Sequence, residues 1–305
     1  MTAKVILNPY AGRWRAKGRK SEVEHALNDA GIEFDLELTD GPGHGIKLAE
    51  QAARQGFNPI IAAGGDGTYS EVVNGIANVT GSDKSIVFGL LPIGSVNDLA
   101  DNLDIPRELS AAAQVIAKGQ VEVIDLCKVN GRFFDNNAAI GLEPYVTLIQ
   151  ERIPYLSGSL RYLIAALIGA NDKPNWEMHL EWEGGDYSGL VTLVTVGNCP
   201  LTGGIFYMTP HANPFDGLLT FVYGYMPNRR GIFSLLPRTL KQNEGSYVEH
   251  SSIHEVSSPW LRVRSVQPTP AHADGEVFSK GIHELEYEVV PDCLPVLMDG
   301  NPFNS

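Results

Sequence analysis

Residues 59–77 read Pro-Ile-Ile-Ala-Ala-Gly-Gly-Asp-Gly-Thr-Tyr-Ser-Glu-Val-Val-Asn-Gly-Ile-Ala, and they decide the first part of the fold. The apolar run at 59–63 predicts a short buried strand, and the apolar spacing at 68–77 predicts a helix just after the glycines. Alternating segments of this kind predict a mainly parallel sheet with helices on both faces. The other members of the series are strands at 5–7, 33–38 and 86–91 and helices at 21–30 and 46–55.

A different pattern begins after about residue 119. Strand-like segments follow one another there, and turn signals such as Asn130-Gly131 and Asp274-Gly275 separate many of them. Helix-like segments at 144–170 and 228–241 interrupt the series. We therefore predict a second, mostly antiparallel β domain that forms a sandwich. Its predicted strands are 121–129, 133–139, 176–182, 190–196, 218–225, 261–266 and 285–290.

The composition is that of a globular protein with an acidic charge balance. The chain has 305 residues, 43% of them apolar, and a formal net charge of −13. This length and apolar content allow two domains with a large core. A general nucleic-acid binder needs a broad basic face, so no nucleic-acid partner is expected. The acidic charge balance is compatible with a phosphorylated small molecule as ligand, because a local basic patch or Mg²⁺ can hold the phosphate.

Cysteine usage and hydropathy bear on the compartment. The three cysteines, Cys127, Cys199 and Cys293, are far apart and form neither a disulfide framework nor a zinc motif, which favours a reducing compartment. The first residues lack the pattern of a signal peptide. The longest strongly apolar stretch, 162–170, is shorter than the roughly 20 residues that a membrane span needs. We expect a cytoplasmic protein, soluble or peripheral at the inner face of the membrane.

The glycine cluster Gly64-Gly65-Asp66-Gly67-Thr68 is the strongest local signal. Glycines before a helix let backbone N–H groups approach a phosphate, and the helix N-terminus favours the negative charge. Asp66 is suited to hold Mg²⁺ or a water beside it, and Thr68 to donate a hydroxyl hydrogen bond. A tight turn with a helix cap explains the same residues equally well. A Walker A loop is excluded, because the chain contains no GxxxxGK[ST].

Two further loops leave strands at the same predicted sheet edge. Asn-Pro-Tyr-Ala-Gly at 8–12 follows the first strand, and Leu-Pro-Ile-Gly-Ser-Val-Asn-Asp at 91–98 follows the fourth. Ligands of open α/β sheets bind where loops leave the carboxyl ends of the strands. Each loop alone indicates an ordinary turn, but three at one edge favour a nucleotide site.

Taken together, the motifs NPxxG, GGDGT and LPxGSxND with the late Asp274-Gly275-Glu276 resemble the diacylglycerol kinase catalytic family, which includes bacterial lipid kinases and sphingosine kinases. GGDGT alone also resembles NAD kinases and phosphofructokinases, and the Gly-Ser-x-Asn-Asp and Asp-Gly-Glu elements narrow the match to lipid kinases. The resemblance extends from Lys4 to about Leu297. It implies an ATP-binding domain at 1–122, to which about 293–305 return, and a lipid-binding β-sandwich at 123–292.

The family's nucleotide contacts map onto the three loops and two neighbouring positions. Ser95 stands where many relatives have threonine, and Arg13 stands where relatives often have lysine, so the hydroxyl and the positive charge are kept. The implied ATP-binding residues are Asn8, Pro9, Tyr10, Ala11, Gly12, Arg13, Thr39, Gly64, Gly65, Asp66, Gly67, Thr68, Tyr69, Ser70, Glu71, Gly94, Ser95, Asn97 and Asp98.

Two magnesium sites also follow from the resemblance. Asp66, Asp98 and Asp125 match acidic positions around a Mg²⁺–water network in family members. A structural Mg²⁺ of some relatives maps to Asn213, Asp216 and Leu218. Only Asp216 of these three has a charged side chain suited to a hard cation, and a plain turn is the alternative interpretation.

The resemblance assigns Glu276 as the general base, and it implies transfer of the γ-phosphate of ATP to a lipid hydroxyl with Mg²⁺. Asp66 is the rival base, and the sequence does not choose between the two. Without the resemblance, Asp274-Gly275-Glu276 would indicate a β-turn with a solvated glutamate. Diacylglycerol, phosphatidylglycerol, a sphingoid base and a prenyl or glycolipid alcohol all remain open as acceptors.

Two alternative functions compete with that of a lipid kinase. A NAD kinase shares GGDG, but Asn97-Asp98 and the late Asp-Gly-Glu argue against it. A non-catalytic nucleotide- or lipid-binding regulator would not need a base. The resemblance also implies a possible homodimer, because some relatives form dimers, but no pattern in this sequence indicates a dimer interface.

Two basic segments lie outside the motifs. Five basic residues surround Trp14 between positions 13 and 20, and the segment 225–241 combines three arginines with apolar residues. A solvated helix start and an amphipathic cover on the sandwich are the favoured interpretations. The alternatives are a phosphate or anionic-membrane patch and an interfacial helix near the lipid entrance, both implying peripheral membrane contact.

Overall fold

The computed structural model describes residues 2–12, 18–81, 83–153, 155–156, 158–172 and 174–304. The chain divides into two compact units. Unit 1 consists of Met1–Leu126 and Val290–Ser305, and unit 2 consists of Cys127–Val289.

Unit 1 contains a parallel sheet in the order β2-β1-β3-β4, with the end of β16 beside β4. Every residue of β1, β3 and β4 is buried. Strands covered on both faces need nearly continuous apolar runs, which these segments have. The strands are β1 Ala3–Leu7, β2 Phe34–Leu38, β3 Ile60–Gly64, β4 Phe88–Pro92 and the last part of β16 Glu276–Leu297.

Helices connect these strands and cover the sheet. Two helix pairs, α2 with α3 and α1 with α5, pack together. The last helix shows how the sequence sets its ends: the Glu108 carboxylate accepts the N–H groups of Ser110 and Ala111, and Gly119 follows in the left-handed conformation. The helices are α1 Lys20–Asp29, α2 His44–Arg54, α3 Asp66–Thr80, α4 Asp98–Asn102 and α5 Leu109–Lys118.

Unit 2 is built mostly from antiparallel strands in the order β14-β13-β10-β7-β15-β16. The hairpin β8–β9 pairs with β15, β6 pairs with β5, and β11 with β12 forms a separate pair. The strands are the end of β5 Val121–Val129, β6 Arg132–Phe134, β7 Asn137–Gly141, β8 Trp176–Trp182, β9 Gly185–Val191, β10 Leu193–Gly197, β11 Leu201–Thr202, β12 Phe206–Tyr207, β13 Leu219–Gly224, β14 Ile253–Ser258, β15 Trp260–Ala273 and the first part of β16.

The strands of unit 2 share one apolar core, which includes Phe134, Phe221 and Tyr287. A second cluster packs helix residues such as Ile232 against Val222 of β13. The helical elements are α6 Leu142–Glu151, α7 Gly158–Asp172, α8 Arg229–Leu235 and two 3₁₀ turns at Leu236–Leu240 and Tyr247–Glu249. No helix in the described part of the chain is long and apolar enough to cross a membrane.

The fold class predicted from the sequence is confirmed: a parallel α/β part is followed by a mostly antiparallel β part. The single strand predicted at 133–139 is wrong. The chain bends at Asp135 and Asn136, which separate β6 from β7. Their backbone N–H groups bond to the Asp274 side chain instead of continuing a strand ladder.

Candidate functional site

The glycine loop of unit 1, residues 64–68, packs directly against the loop that follows β4. A Cβ atom built on Gly94 would lie 2.4 Å from the Cα of Gly65, and one built on Gly65 would lie 2.9 Å from the Cα of Gly94. The Gly64 carbonyl accepts the N–H groups of Ile93 and Gly94, both at 2.8 Å. Only glycine fits at this backbone contact, which holds the two loops together at the start of α3.

Asp66 lies at the first position of α3 and ties the same two loops together. Its Oδ2 accepts the N–H of Asn97 at 2.9 Å, and its Oδ1 accepts the N–H of Leu99 at 3.4 Å. Burial raises the pKa of the Asp66 carboxyl to about 6, although the backbone hydrogen bonds act in the opposite direction. The negative charge of Asp66 is therefore only partly compensated by protein groups.

Asn97 fixes the shape of the second loop. It has a positive φ of 64°, and its Oδ1 accepts the Gly94 N–H at 3.0 Å. The Tyr69 hydroxyl donates to the same oxygen at 3.4 Å. Asp98 follows as a buried residue at the start of α4. The structure thus brings together Tyr69, which follows the glycine cluster, with Gly94 and Asn97 of the loop after β4.

The loop after β1 joins the same region through Asn8. Its side-chain N–H donates to the Thr68 hydroxyl at 3.0 Å, and its Oδ1 accepts the Tyr10 N–H at 2.9 Å. The edge where β1, β3 and β4 end thus contains parts of all three predicted loops. Arg13 lies outside the described residues.

Other predicted nucleotide contacts have structural partners of their own. The two carboxylate oxygens of Glu71 accept the N–H groups of Gly43 and Gly45 at 2.7 and 2.8 Å, at the start of α2. The backbone N–H of Thr39 bonds to the Leu7 carbonyl at 2.9 Å, and its side chain is buried. Ser70 is buried, whereas Gly67 and Ser95 are exposed.

Arg107 is a basic residue beside this region that the sequence did not single out. Its guanidinium pairs with Asp101 and donates to the Val96 carbonyl at 2.9 Å. The hydrogen bonds that Arg107 donates to Asp101 raise the pKa of Arg107, and the charges of Asp98 and Asp66 act in the same direction. Arg107 therefore braces the 94–101 segment and places a positive charge near the two aspartates. No motif in the sequence marks it.

The acidic residues of unit 1 bear on magnesium in different ways. Among the described residues, no three acidic, histidine or cysteine side chains converge as a metal-binding group. Asp125 is buried, and its Oδ1 accepts the Asp292 N–H at 2.7 Å. Asp66 fits a cation best, because its raised pKa shows that the backbone hydrogen bonds do not fully compensate its charge. A Mg²⁺ that contacts Asp66 through water is compatible with these bonds.

In unit 2, Glu276 begins β16 directly after the turn formed by Asp274 and Gly275. The two turn residues have φ values of 45° and 74°, which suit Asp-Gly in a tight hairpin. The exposed Glu276 carboxylate pairs with the guanidinium of Arg132 on β6. The sequence predicts the turn and Glu276, but it does not predict Arg132.

The second predicted metal site is a loop with local side-chain bonds. The Asn213 Oδ1 accepts the Phe215 N–H at 3.1 Å, and the Asp216 Oδ1 accepts the Leu218 N–H at 2.9 Å. Both bonds are of the kind that closes a turn. The structure brings Asn213, Asp216 and Leu218 into one short loop, and a metal there stays a prediction.

Unit 2 also contains an apolar cavity that the sequence did not reveal. The cavity has a volume of about 80 Å³. The wall includes Leu142, Glu143, Val146, Ala166, Ala170, Thr192, Leu193, Phe206, Met208, Gly224, Met226, Ile232, Leu235, Leu236, Thr239, Tyr247 and Ile253.

The two basic segments differ in what the structure describes. Residues 13–17 of the first segment lie outside the described residues. In the second, Arg238 donates to the carbonyls of Gly245 and Ser246 and pairs with Glu249, so it closes a loop of unit 2. Ile232 and Leu235 of α8 are buried in the cavity wall, whereas Phe233 is exposed.

Comparisons with known protein families cover both units. Residues 2–129 match the diacylglycerol kinase catalytic domain. Residues 136–298 match the YegS C-terminal NAD kinase beta sandwich-like domain, in agreement with the predicted sandwich.

Individual relatives match along most of the chain. A diacylglycerol kinase of Bacillus subtilis strain 168 is 29% identical over 276 residues, which are 90% of this chain and 89% of the relative. One of Staphylococcus carnosus strain TM300 is 28% identical over 275 residues, which are 90% and 88% of the two chains. A crystal structure of a diacylglycerol kinase from Bacillus anthracis strain Sterne shares the fold, with a TM-score of 0.75, 21% identity and coverage of 100% and 98%.

Proposed function

Because this chain belongs to the diacylglycerol kinase catalytic-domain family and is a lipid kinase, we propose that it transfers the γ-phosphate of ATP to the hydroxyl of a lipid such as diacylglycerol. The observation that carries the proposal is the backbone contact of Gly65 with Gly94 at the start of α3, which leaves no room for any side chain. A loop of this kind serves to bring a phosphate close to backbone N–H groups.

Unit 1 supplies the nucleotide site in this proposal. The N-terminus of α3 carries the positive end of the helix dipole, and in this proposal it receives the phosphate that the loop binds. Asn8 and Thr68 hold the loop after β1 beside this helix start. Asp66 and Asn97 hold the third loop in place. Ser95, which is exposed, contributes a hydroxyl to the phosphates.

In this proposal Asp66 would hold a Mg²⁺ ion, with Asp98 and Asp125 as further acidic residues of the site. When bound, the ion would supply positive charge to the transferring phosphoryl group. The residues of the chain carry the rest of the chemistry: they orient the phosphates and take up the acceptor's proton.

Unit 2 supplies the lipid site and the base. We assign the apolar cavity to the hydrocarbon chain of the lipid, since its wall is almost wholly apolar. The Glu276 carboxylate takes the proton of the lipid hydroxyl while the hydroxyl oxygen forms a bond to the γ-phosphorus. The bond from that phosphorus to the bridging oxygen breaks, and ADP leaves with the electron pair.

Phosphate transfer from labelled ATP to a panel of acceptors tests the proposal. The panel holds diacylglycerol, phosphatidylglycerol, a sphingoid base and a prenyl alcohol in mixed micelles with Mg²⁺, together with NAD⁺. Labelling of one lipid supports the proposal and names the acceptor. Labelling of NAD⁺ alone, or of nothing while ATP still binds, contradicts it in favour of a NAD kinase or a regulator.

The role of Glu276 is tested by Glu276→Gln. We expect turnover to be lost, because the glutamine amide cannot accept the proton. ATP affinity should be unchanged, because Glu276 is not one of the proposed nucleotide contacts. Glu288→Gln on the same strand is the matched control, since Glu288 also pairs with a basic side chain, that of Lys128. Turnover that persists in Glu276→Gln would move the role of base to Asp66.

A further inference from the structure

The turn that carries Glu276 is held by a buried carboxylate. Both oxygens of Asp274 accept backbone N–H groups from one segment: Asp135 at 3.2 Å, Asn136 at 3.1 Å and Asn137 at 3.2 Å. The Asp274 N–H in turn donates to the Asn137 carbonyl at 2.8 Å. A solvated hairpin turn needs none of these four bonds, so they serve to fix the turn against the 135–137 segment.

The same segment reaches the other end of the turn. Arg132 lies on β6 just before this segment, and its guanidinium pairs with the Glu276 carboxylate. One stretch of chain, 132–137, therefore holds the residue before Gly275 and the residue after it. The position of the Glu276 carboxylate depends on where this stretch lies.

Glu143 holds the stretch from its other side. The Asn137 side-chain N–H donates to the Glu143 Oε1 at 2.7 Å, while the Asn137 backbone N–H bonds to Asp274. The His272 Nε2 lies 3.4 Å from the same Glu143 oxygen, and both side chains are buried. His272 lies on β15, and Asp274 follows the end of this strand in the turn. The four residues form a polar ring within unit 2, in which the backbone from 272 to 274 joins His272 to Asp274.

The charge on Glu143 is maintained inside this ring. Burial acts to raise the pKa of Glu143, but the neighbouring His272 side chain and the hydrogen bond from Asn137 bring this pKa below its usual value. A buried carboxylate costs free energy unless partners compensate it. Glu143 also lies in the wall of the apolar cavity. The ring thus connects the cavity wall to the turn of Glu276.

We infer that Asp274 and Glu143 are positioning residues, which hold the Glu276 carboxylate in its working orientation through the 132–137 segment. This inference rests on the proposed function, in which Glu276 is the base. Neither residue contacts the reacting atoms. Their effect is on the rate of phosphate transfer, because the base must lie within hydrogen-bond reach of the hydroxyl proton.

Asp274→Asn is the first test. Asparagine keeps the shape of the side chain and tolerates the positive φ. Its NH₂ group, however, would replace one Asp274 oxygen that accepts a backbone N–H in the wild type. We expect kcat for the lipid to fall about 10- to 100-fold, the cost of a small displacement of a catalytic group. The KM values for ATP and lipid are expected to stay at their wild-type levels.

Asn130→Asp is the matched control. Asn130 and Gly131 form a turn with φ values of 47° and 82°, close to those of Asp274 and Gly275, and the Asn130 side chain also binds backbone groups in unit 2. This turn does not carry Glu276. An equal loss of kcat in both variants would assign the Asp274 effect to general stability and overturn the inference.

Glu143→Gln is the second test, and it decides the question alone if Asp274→Asn does not fold. Glutamine keeps an oxygen for Asn137 but loses the charge that faces His272. We expect a lower kcat, together with a raised KM for the lipid because Glu143 also lines the cavity. An unchanged kcat would overturn the inference.

The outcomes separate this inference from the proposed function. Wild-type protein that phosphorylates no lipid contradicts the proposed function. An active wild type with a fully active Glu276→Gln contradicts the role of the base. An active wild type, an inactive Glu276→Gln and a fully active Asp274→Asn overturn the positioning inference alone.

Discussion

The guanidinium of Arg132 donates a hydrogen bond to the carboxylate of Glu276, although 144 positions separate the two residues in the chain. Both groups are partly exposed, with 34% and 63% of their side-chain surfaces accessible. An ion pair this exposed contributes little to stability. Its value lies in orientation, because the planar guanidinium binds a carboxylate in a fixed geometry.

Replacing Arg132 with alanine is expected to lower kcat for lipid phosphorylation by about tenfold, since one well-placed catalytic group loses its orientation. Arg132→Lys should keep part of the rate, because the charge remains and the planar geometry does not. Lys128→Ala removes a comparable ion pair, that with Glu288, and should leave kcat unchanged. Steady-state kinetics of the three variants tests this, and a full rate in Arg132→Ala would contradict it.

Gly94→Ala is expected to lower the free energy of unfolding by about 1–3 kcal/mol, because the new methyl group would overlap the Gly65 backbone. The affinity for ATP should fall as well, since the loops must separate. Denaturant unfolding and calorimetric ATP titration measure the two effects.

Gly67→Ala is the control for stability. A Cβ at Gly67 meets nothing within 4 Å, and the residue lies in α3. Alanine there should raise the free energy of unfolding by up to about 1 kcal/mol. Equal destabilisation by the two alanines would show that the contact of Gly65 with Gly94 has no special role.

The Asp66 carboxyl gives a pH-dependent prediction. Its pKa is about 6 in the folded protein, against an ordinary value of 3.8, so the folded state binds the proton more tightly than the unfolded state. Proton binding at Asp66 therefore stabilises the folded state in full below about pH 4, and this stabilisation is lost as the pH rises through 6. The loss is on the order of 2–3 kcal/mol.

Unfolding of metal-free protein between pH 4 and 7 tests this point when wild type is compared with Asp66→Asn. The asparagine variant lacks the titration, so the difference in unfolding free energy between the two proteins should change over this range. Mg²⁺ added at pH 7 should stabilise the wild type more than Asp66→Asn. A difference that stays constant with pH would contradict the raised pKa.

The sequence predicted those parts of the site that depend on local chemistry. Glycine and asparagine at positions of tight approach or positive φ, such as Gly65, Gly94 and Asn97, marked the loops, and Asp-Gly marked the hairpin turn. The alternation of strands and helices gave the parallel sheet, and the sheet edge then brought the loops together.

What the sequence did not predict depends on contacts between distant segments. Arg132 and Arg107 have no motif, and their roles follow from the carboxylates that the fold places beside them. Residues 133–139 have the pattern of one strand, but the bonds of Asp274 to three successive N–H groups require a bend there. The apolar cavity is formed by residues from 142 to 253, and its apolar members also fit an ordinary core.

The cavity of unit 2 gives the last prediction. Ala166 lies on α7 in the cavity wall, and its neighbour Leu167 is exposed on the same helix. Phenylalanine at 166 would occupy space that we assign to the hydrocarbon chain. We expect Ala166→Phe to raise the KM for a long-chain lipid about tenfold or more, because several methylene groups would lose burial worth about 0.8 kcal/mol each.

A short-chain lipid separates this effect from general damage. Its chain fills less of the cavity, so Ala166→Phe should change its KM less than that of the long-chain lipid, and the KM for ATP should not change. Leu167→Phe adds an aromatic ring one position away, outside the cavity wall, and should leave the KM for both lipids unchanged. If Ala166→Phe raised neither lipid KM, the hydrocarbon chain would have to bind elsewhere, and the role of the cavity in the proposed function would be wrong.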